Sequence, residues 1–265
     1  MSTYQLTIEY DGTDFHGWQV QPEERTVEGE LRDAVRRITG EDAVITSAGR
    51  TDAGAHAHGQ VVGLTLKRRW QPPRLASAIN ALLPEDVVVT ELRPAAAGFH
   101  ARYDAITRTY KYIVAPRPSR SAVTRRHAWT VRGPLDIAAM QHAASALVGT
   151  RDFAAFGRPP RKGASSVRTV HEATVQAVSV GDAQDGSNLE YVVLAVRADA
   201  FLRGMMRAFA GAIVAVGQGR LSREELEELL AAGATPSPLT VAPAHGLHQW
   251  AVTYGRDPVR SSSAA

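Results

Sequence analysis

The segment Ala48-Gly49-Arg50-Thr51-Asp52-Ala53-Gly54-Ala55-His56 places one carboxylate, Asp52, on a glycine-flanked turn. The apolar pair Val44-Ile45 precedes it, and Gln60-Val61-Val62 resumes a strand-like pattern behind it. Turns between buried strands are where reactive side chains are displayed, and glycine lets a ligand approach the backbone closely. The ordinary reading of an Asp in such a turn is a cap or turn residue. The chemical reading is a nucleophile, and it draws on two further residues. Arg207 lies inside the apolar run Phe201 to Val214, and a buried guanidinium needs a carboxylate or phosphate partner. A structural acid in the core would serve. Asp52 would serve too, and pairing would keep it ionised in a dry pocket, against the upward pKa shift that burial imposes. An ionised, weakly hydrated carboxylate is a competent nucleophile. Tyr110, in Arg108-Thr109-Tyr110-Lys111-Tyr112, would share a strand face with Tyr112. That face is either core packing or a platform on which a nucleobase stacks.

Other patterns carry less. Gly49 and Gly54 imitate P-loop spacing, but Ala55-His56 stand where Lys and Ser/Thr belong, so no Walker site is expected. His56-Ala57-His58 offers two ligands without a third nearby, and no metal is expected. Gly217-Gln218-Gly219 reads as a helix C-cap, and Ser165-Ser166 lacks a nucleophile-elbow context.

The elements that must position these residues follow from periodicity. Leu6, Ile8 and Tyr10 alternate in a strand over 4–10, followed by an Asp11-Gly12-Thr13-Asp14 turn. Thr26 is the expected N-cap of a helix that buries Val27, Leu31, Val35 and Ile38 and ends at Gly40. A strand to Thr46, the Asp52 turn, a strand from Val61 to Leu66, a short helix from Leu75 to Leu83 and a strand at Val87–Val89 complete the first half. In the second half, strands are expected at 109–114, 170–180, 189–196 and 248–254. Helices are expected at 135–148 and 201–216, and Ser222 with Glu225 forms a capping box that opens an acidic helix. The pattern predicts an α+β fold with two lobes, residues 1–104 and 105–255, and a Ser/Ala-rich disordered tail at 256–265. A cleft between the lobes is the expected site.

Composition narrows the chemistry. The chain has 265 residues, 44% of them hydrophobic, enough for two cores. It has no cysteine, which excludes disulfides, thiolate metal sites, iron–sulfur clusters and Cys nucleophiles. The opening Met1-Ser2-Thr3-Tyr4-Gln5 has no basic or apolar leader, and the 201–216 run is too short for a bilayer. A soluble cytoplasmic protein is expected. Net charge is +3, but basic residues cluster in stretches without acids. Pro116 to Arg126 holds Arg117, Arg120, Arg125 and Arg126; Gly157 to Arg168 holds Arg158, Arg161, Lys162 and Arg168; Lys67-Arg68-Arg69 precedes Trp70. Acids collect in Glu224-Glu225-Leu226-Glu227-Glu228. Either the basic loops are merely solvated or one face meets a polyanion.

These blocks together resemble the tRNA pseudouridine synthase I family, from about Tyr4 to Tyr254. The shared blocks are Tyr10-Asp11-Gly12 with Phe15-His16-Gly17-Trp18-Gln19; Ala48 to Gly54, continuing through His56-Ala57 and Gly59-Gln60-Val61; Phe99-His100-Ala101-Arg102 before Arg108 to Tyr112; Asp152-Phe153 with Phe156; Phe201-Leu202 with Met205 and Arg207; and Ala242-Pro243 with Gly246-Leu247. Ala55 stands where valine is common, and His248-Gln249-Trp250 is less apolar than usual. The resemblance implies two α/β lobes with mixed, largely antiparallel sheets flanked by helices around a central cleft. It implies isomerisation of uridine to pseudouridine at tRNA positions 38, 39 and 40. Asp52 is then the catalytic carboxylate, Tyr110 stacks on the target uracil, Arg50 helps displace the base, and Arg207 pairs with Asp52. Two routes stay open: addition of Asp52 to C1′ or C6, or stabilisation of a glycal-forming intermediate. The resemblance further implies a homodimer on one tRNA, with no cofactor and no membrane. The competing class is a non-catalytic tRNA-binding protein or chaperone, which would need the basic loops but not Asp52.

Overall fold

The structure is a computed structural model that describes residues 1–118, 121–159, 161, 163–180, 189–232 and 240–255. The expected tail at 256–265, and Arg120 and Lys162 of the basic stretches, lie outside the described residues. The class is α+β, with a mixed sheet of ten strands and five helices among the described residues. The described residues divide into two compact units, one of residues 1–108 with 249–255 and one within Thr109–His248.

In the first unit, β1 (Ser2–Tyr10) pairs antiparallel with β3 (His56–Leu66) and with β4 (Val87–Pro94), and the short β2 (Val44–Ser47) pairs with β3. The strand order runs β4-β1-β3 and on to β10 (Leu247–Tyr254) and β5 (Ala105–Pro116). Helices α1 (Val27–Thr39) and α2 (Pro72–Asn80) cover one face. The start of α1 is as the sequence predicts: the Thr26 hydroxyl accepts from the Gly29 N–H, and Glu28 and Glu30 lie where the helix dipole favours acids. Gly40 ends it in the left-handed region at φ 69°. Tyr4, Leu6, Ile8, Leu31, Val35, Val62, Leu64 and Ile79 build the core, each aliphatic contributing roughly 1.5–3 kcal/mol of transfer free energy. Because strand side chains alternate, Val61 faces a second cluster with Ala48 and Ala101, against which Phe99, Val252 and Tyr254 pack. β3 is thus covered on both faces, which is why it reads as a nearly continuous buried run.

In the second unit the order is β5-β9-β8-β7, formed by Leu189–Ala198, Val167–Val180 and Gly149–Asp152 beside β5, with β6 (Trp129–Val131) parallel to β5. Its helices are α3 (Ile137–Ser145), α4 (Met205–Gly217) and α5 (Arg223–Ala231). The Ser222–Glu225 capping box is formed in both directions. α4 starts later than the apolar pattern suggests. The reason is local: the backbone of Arg203 exchanges both hydrogen bonds with Arg158 at 3.0 Å, and Gly204 takes φ 79°. Those groups are therefore unavailable to a helix.

Candidate active site

Asp52 sits in the loop between β2 and β3, and backbone hydrogen bonds to its neighbours hold that turn in one shape. The Ala48 N–H donates to the Val61 carbonyl at 2.9 Å, and the Ala55 N–H closes the turn on the Asp52 carbonyl at 3.1 Å. The 11–18 segment grips the loop from the other side: the Trp18 N–H donates to the Thr51 carbonyl at 3.2 Å, and the Gly54 N–H to the Phe15 carbonyl at 3.3 Å. The Tyr10 and Thr51 hydroxyls lie 2.7 Å apart. A Cβ built on Gly12 would overlap the Ala55 carbonyl, so only glycine lets these two chains approach. Asp52 is half-buried within this frame, and Arg50 is exposed on the same loop.

Two buried polar groups hold the loop from beneath, and neither was singled out from the sequence. Arg108 is 8% exposed, and its Nε and one terminal nitrogen each donate to the Ala48 carbonyl at 3.2 Å. Gln60, wholly buried, donates to the Gly49 carbonyl at 2.8 Å and accepts from Gln249 at 3.0 Å. A signal for Arg108 existed: a period of two puts it on the same strand face as Tyr110 and Tyr112. A buried arginine there has to find carbonyls or acids.

The 11–26 segment has its own anchor. Arg25 makes a two-pronged contact with Asp86, 2.8 Å on each arm, and lies 4.0 Å over the Phe15 ring. That fork raises the Arg25 pKa further. His56 and His58 have separate surroundings. The Gly12 N–H donates to His56 Nδ1 at 3.1 Å beside Asp11, whereas the His58 ring lies against Trp250 at 4.6 Å between centroids, tilted by 47°. A register shift between Ile8 and Tyr10, which pair with Gln60 and Ala57, separates them.

The other two candidates belong to the second unit. Tyr110 is on β5, 6% exposed, with its ring against the edge of Phe201 at 4.8 Å and 72°. Tyr112 shares that strand face but is fully buried, and its hydroxyl donates to the Pro243 carbonyl at 2.7 Å. Burial drives the Tyr112 pKa far up against the opposing charge of Arg207, so it stays a neutral donor. Of the two tyrosines, Tyr112 is packing. Arg207 on α4 is half-buried. Its Nε donates to the Ala242 carbonyl at 2.7 Å, and its own carbonyl accepts from the Ala242 N–H at 3.1 Å. Gly211, one turn on, lies so close to the Thr240 carbonyl that a Cβ would collide with it. The 240–243 segment is thereby tied to α4 by Arg207 and to β5 by Tyr112. The structure brings Arg50 and Asp52 onto one loop of the first unit, and Tyr110 and Arg207 into the second.

The fold and site place the chain among α+β proteins that present a carboxylate on a clamped turn. The family model described as tRNA pseudouridine synthase matches residues 6–104 and 143–255. Relatives named tRNA pseudouridine synthase A are similar over nearly the whole length. That of Methylorubrum extorquens (strain PA1) is 40% identical over 255 residues, covering 96% of this chain and 100% of the relative. That of Brevibacillus brevis is 38% identical over 254 residues, covering 96% and 100%, and that of Roseiflexus castenholzii 40% over 257 residues, covering 97% and 92%. The chain belongs to the tRNA pseudouridine synthase family, the one its sequence blocks resemble.

Proposed function

We infer that this chain is a tRNA-uridine isomerase that makes pseudouridine in the anticodon stem-loop, at positions 38, 39 and 40, with Asp52 as its catalytic carboxylate. The observation that carries the assignment of Asp52 is the loop itself: one carboxylate, half-buried, on a turn whose backbone is clamped by β3, the 11–18 segment, Arg108 and Gln60. The reaction breaks the C1′–N1 bond, turns the base, and joins C1′ to C5; the proton lost at C5 is balanced by one gained at N1. No redox change and no hydrolysis occur. Family membership supports the isomerase and its tRNA substrate.

The base must leave its stack, at a cost of about a few kcal/mol. Tyr110, held edge-on by Phe201, is assigned to stack on the uracil, and the exposed Arg50 to help displace it. Arg207 is assigned to pair with Asp52 and keep it ionised; its Nε bond to Ala242 fixes the guanidinium's direction. Asp52 then adds to C1′ or C6, or stabilises a glycal-forming intermediate. Two lobes, a homodimer on one tRNA and a cytoplasmic location belong to the same reading. No described helix is long and apolar enough to cross a membrane.

The test compares wild type with Asp52→Ala on an unmodified tRNA transcript, mapping pseudouridine by base-specific modification and primer extension. Product at anticodon-arm uridines with wild type alone, tRNA binding being retained by the variant, is the expected result. Turnover by a clean Asp52→Ala preparation removes Asp52 from the chemistry, and tight binding without wild-type product points to a binding protein.

A further inference from the structure

Arg158 and Arg203 face each other across an isolated antiparallel bridge in the second unit, each backbone N–H donating to the other's carbonyl at 3.0 Å. Residues opposed in this way project to one side with Cβ atoms about 5 Å apart. Both are exposed. Among the described residues, no ion pair or side-chain hydrogen bond to an acid neutralises either guanidinium. Like charges placed directly opposite destabilise a strand pair, and the bridge needs no arginine, since the backbone makes it. Arg161, also exposed, continues a stretch from 157 to 168 that contains no acid.

We propose that Arg158 and Arg203 form a phosphate clamp for the RNA backbone next to the target nucleotide. Two adjacent guanidinium forks fit the two non-bridging oxygens of one phosphodiester, and the bound anion turns their mutual repulsion into attraction to a common partner. Arg203 is two residues from Phe201, the ring that packs against Tyr110. A phosphate held there belongs to the target nucleotide or its immediate neighbour. The clamp positions the strand and reads no base. It rests on tRNA being the substrate and on Tyr110 facing the target base, and it adds residues that neither assignment includes.

The test uses the full chain with Arg158→Gln, Arg203→Gln and the double substitution. Steady-state kinetics on the unmodified transcript are measured over a range of salt concentrations, with equilibrium tRNA binding in parallel and thermal melting without RNA. The double variant should raise KM and Kd on the order of 5-fold, with the loss falling on KM rather than kcat, and lower the log–log salt slope by about one. Its RNA-free Tm should equal or exceed the wild-type value, because the repulsion is gone. A wild-type KM, Kd and salt slope in the double variant overturn the clamp, as does a rise in KM that is matched by a fall in Tm. Binding reads the clamp without turnover, so a failure of the Asp52 assignment, seen as product from Asp52→Ala, is distinguishable from a failure here.

Discussion

A single side chain, Gln60, shows how much of the Asp52 loop is held by groups that do no chemistry. Its buried amide joins the Gly49 carbonyl, at the edge of the interior, to the buried Gln249. Gln60→Leu should cost about 2 kcal/mol in chemical denaturation, since the buried Gln249 amide and the part-buried Gly49 carbonyl lose their partner at once. Gly12 acts through shape: a Cβ there displaces the Ala55 carbonyl and with it the turn that carries Asp52. Gly12→Ala should lower kcat on the order of 10²-fold, the scale expected for a misplacement of about 1 Å, in single-turnover assays on the tRNA transcript. Unchanged kcat would show that the loop tolerates the shift. Both positions are visible in the sequence as residues, but their role depends on which chains approach them.

At the scale of elements, the 240–243 segment, which lies between α5 and β10, is held by two donors from different elements. Tyr112 holds Pro243 and Arg207 holds Ala242. Tyr112→Phe removes one neutral hydrogen bond and should lower stability by about 1 kcal/mol, read as a shift in the denaturation midpoint with the helical and strand content unchanged. Arg207→Met should cost more, on the order of 10²-fold in kcat with a lower denaturation midpoint, because it removes both the tie to Ala242 and the charge assigned to Asp52. If Arg207→Met leaves activity and stability intact, the pairing with Asp52 is wrong. The periodicity of α4 was legible as an apolar run, but its start was not. Phe201-Leu202-Arg203-Gly204 reads as helix by hydropathy, and only the bridge to Arg158 takes its backbone out of helical pairing.

For the molecule as a whole, pH acts on stability through His245, whose pKa burial and the nearby charge of His127 lower, against a hydrogen bond to the Ala128 carbonyl that raises it. The unfolded chain takes up this proton near pH 6.5, whereas the folded chain does so only at lower pH. Below about 6.5 the unfolded state therefore binds more protons, and the contribution that is complete above that pH is lost as the pH falls. The difference in denaturation midpoint between wild type and His245→Gln, measured at pH 7.5 and at 5.5, should shift in favour of the variant at the lower pH. A constant difference would mean that His245 titrates alike in both states.

Local rules set what could be read from the chain alone. The α+β class, the Thr26 and Gly40 ends of α1, the Ser222 capping box and the alternating face of β1 all depend on neighbours within a few residues, which side-chain spacing reports directly. The family also lay in the sequence, because the Gly-Arg-Thr-Asp-Ala-Gly block and the others occur in order along the chain. Tertiary structure decided what depends on long-range pairing. The strand order interleaves early and late strands, and β10 returns beside β3. Arg108 finds the Ala48 carbonyl from 60 residues away, Gln60 meets Gln249 only because β10 lies beside β3, and Tyr112 becomes a buried donor rather than a stacking face because Pro243 reaches it from 131 residues away. Burial and hydrogen-bond partners are properties of contacts between distant segments, and no window of sequence holds both sides of such a contact.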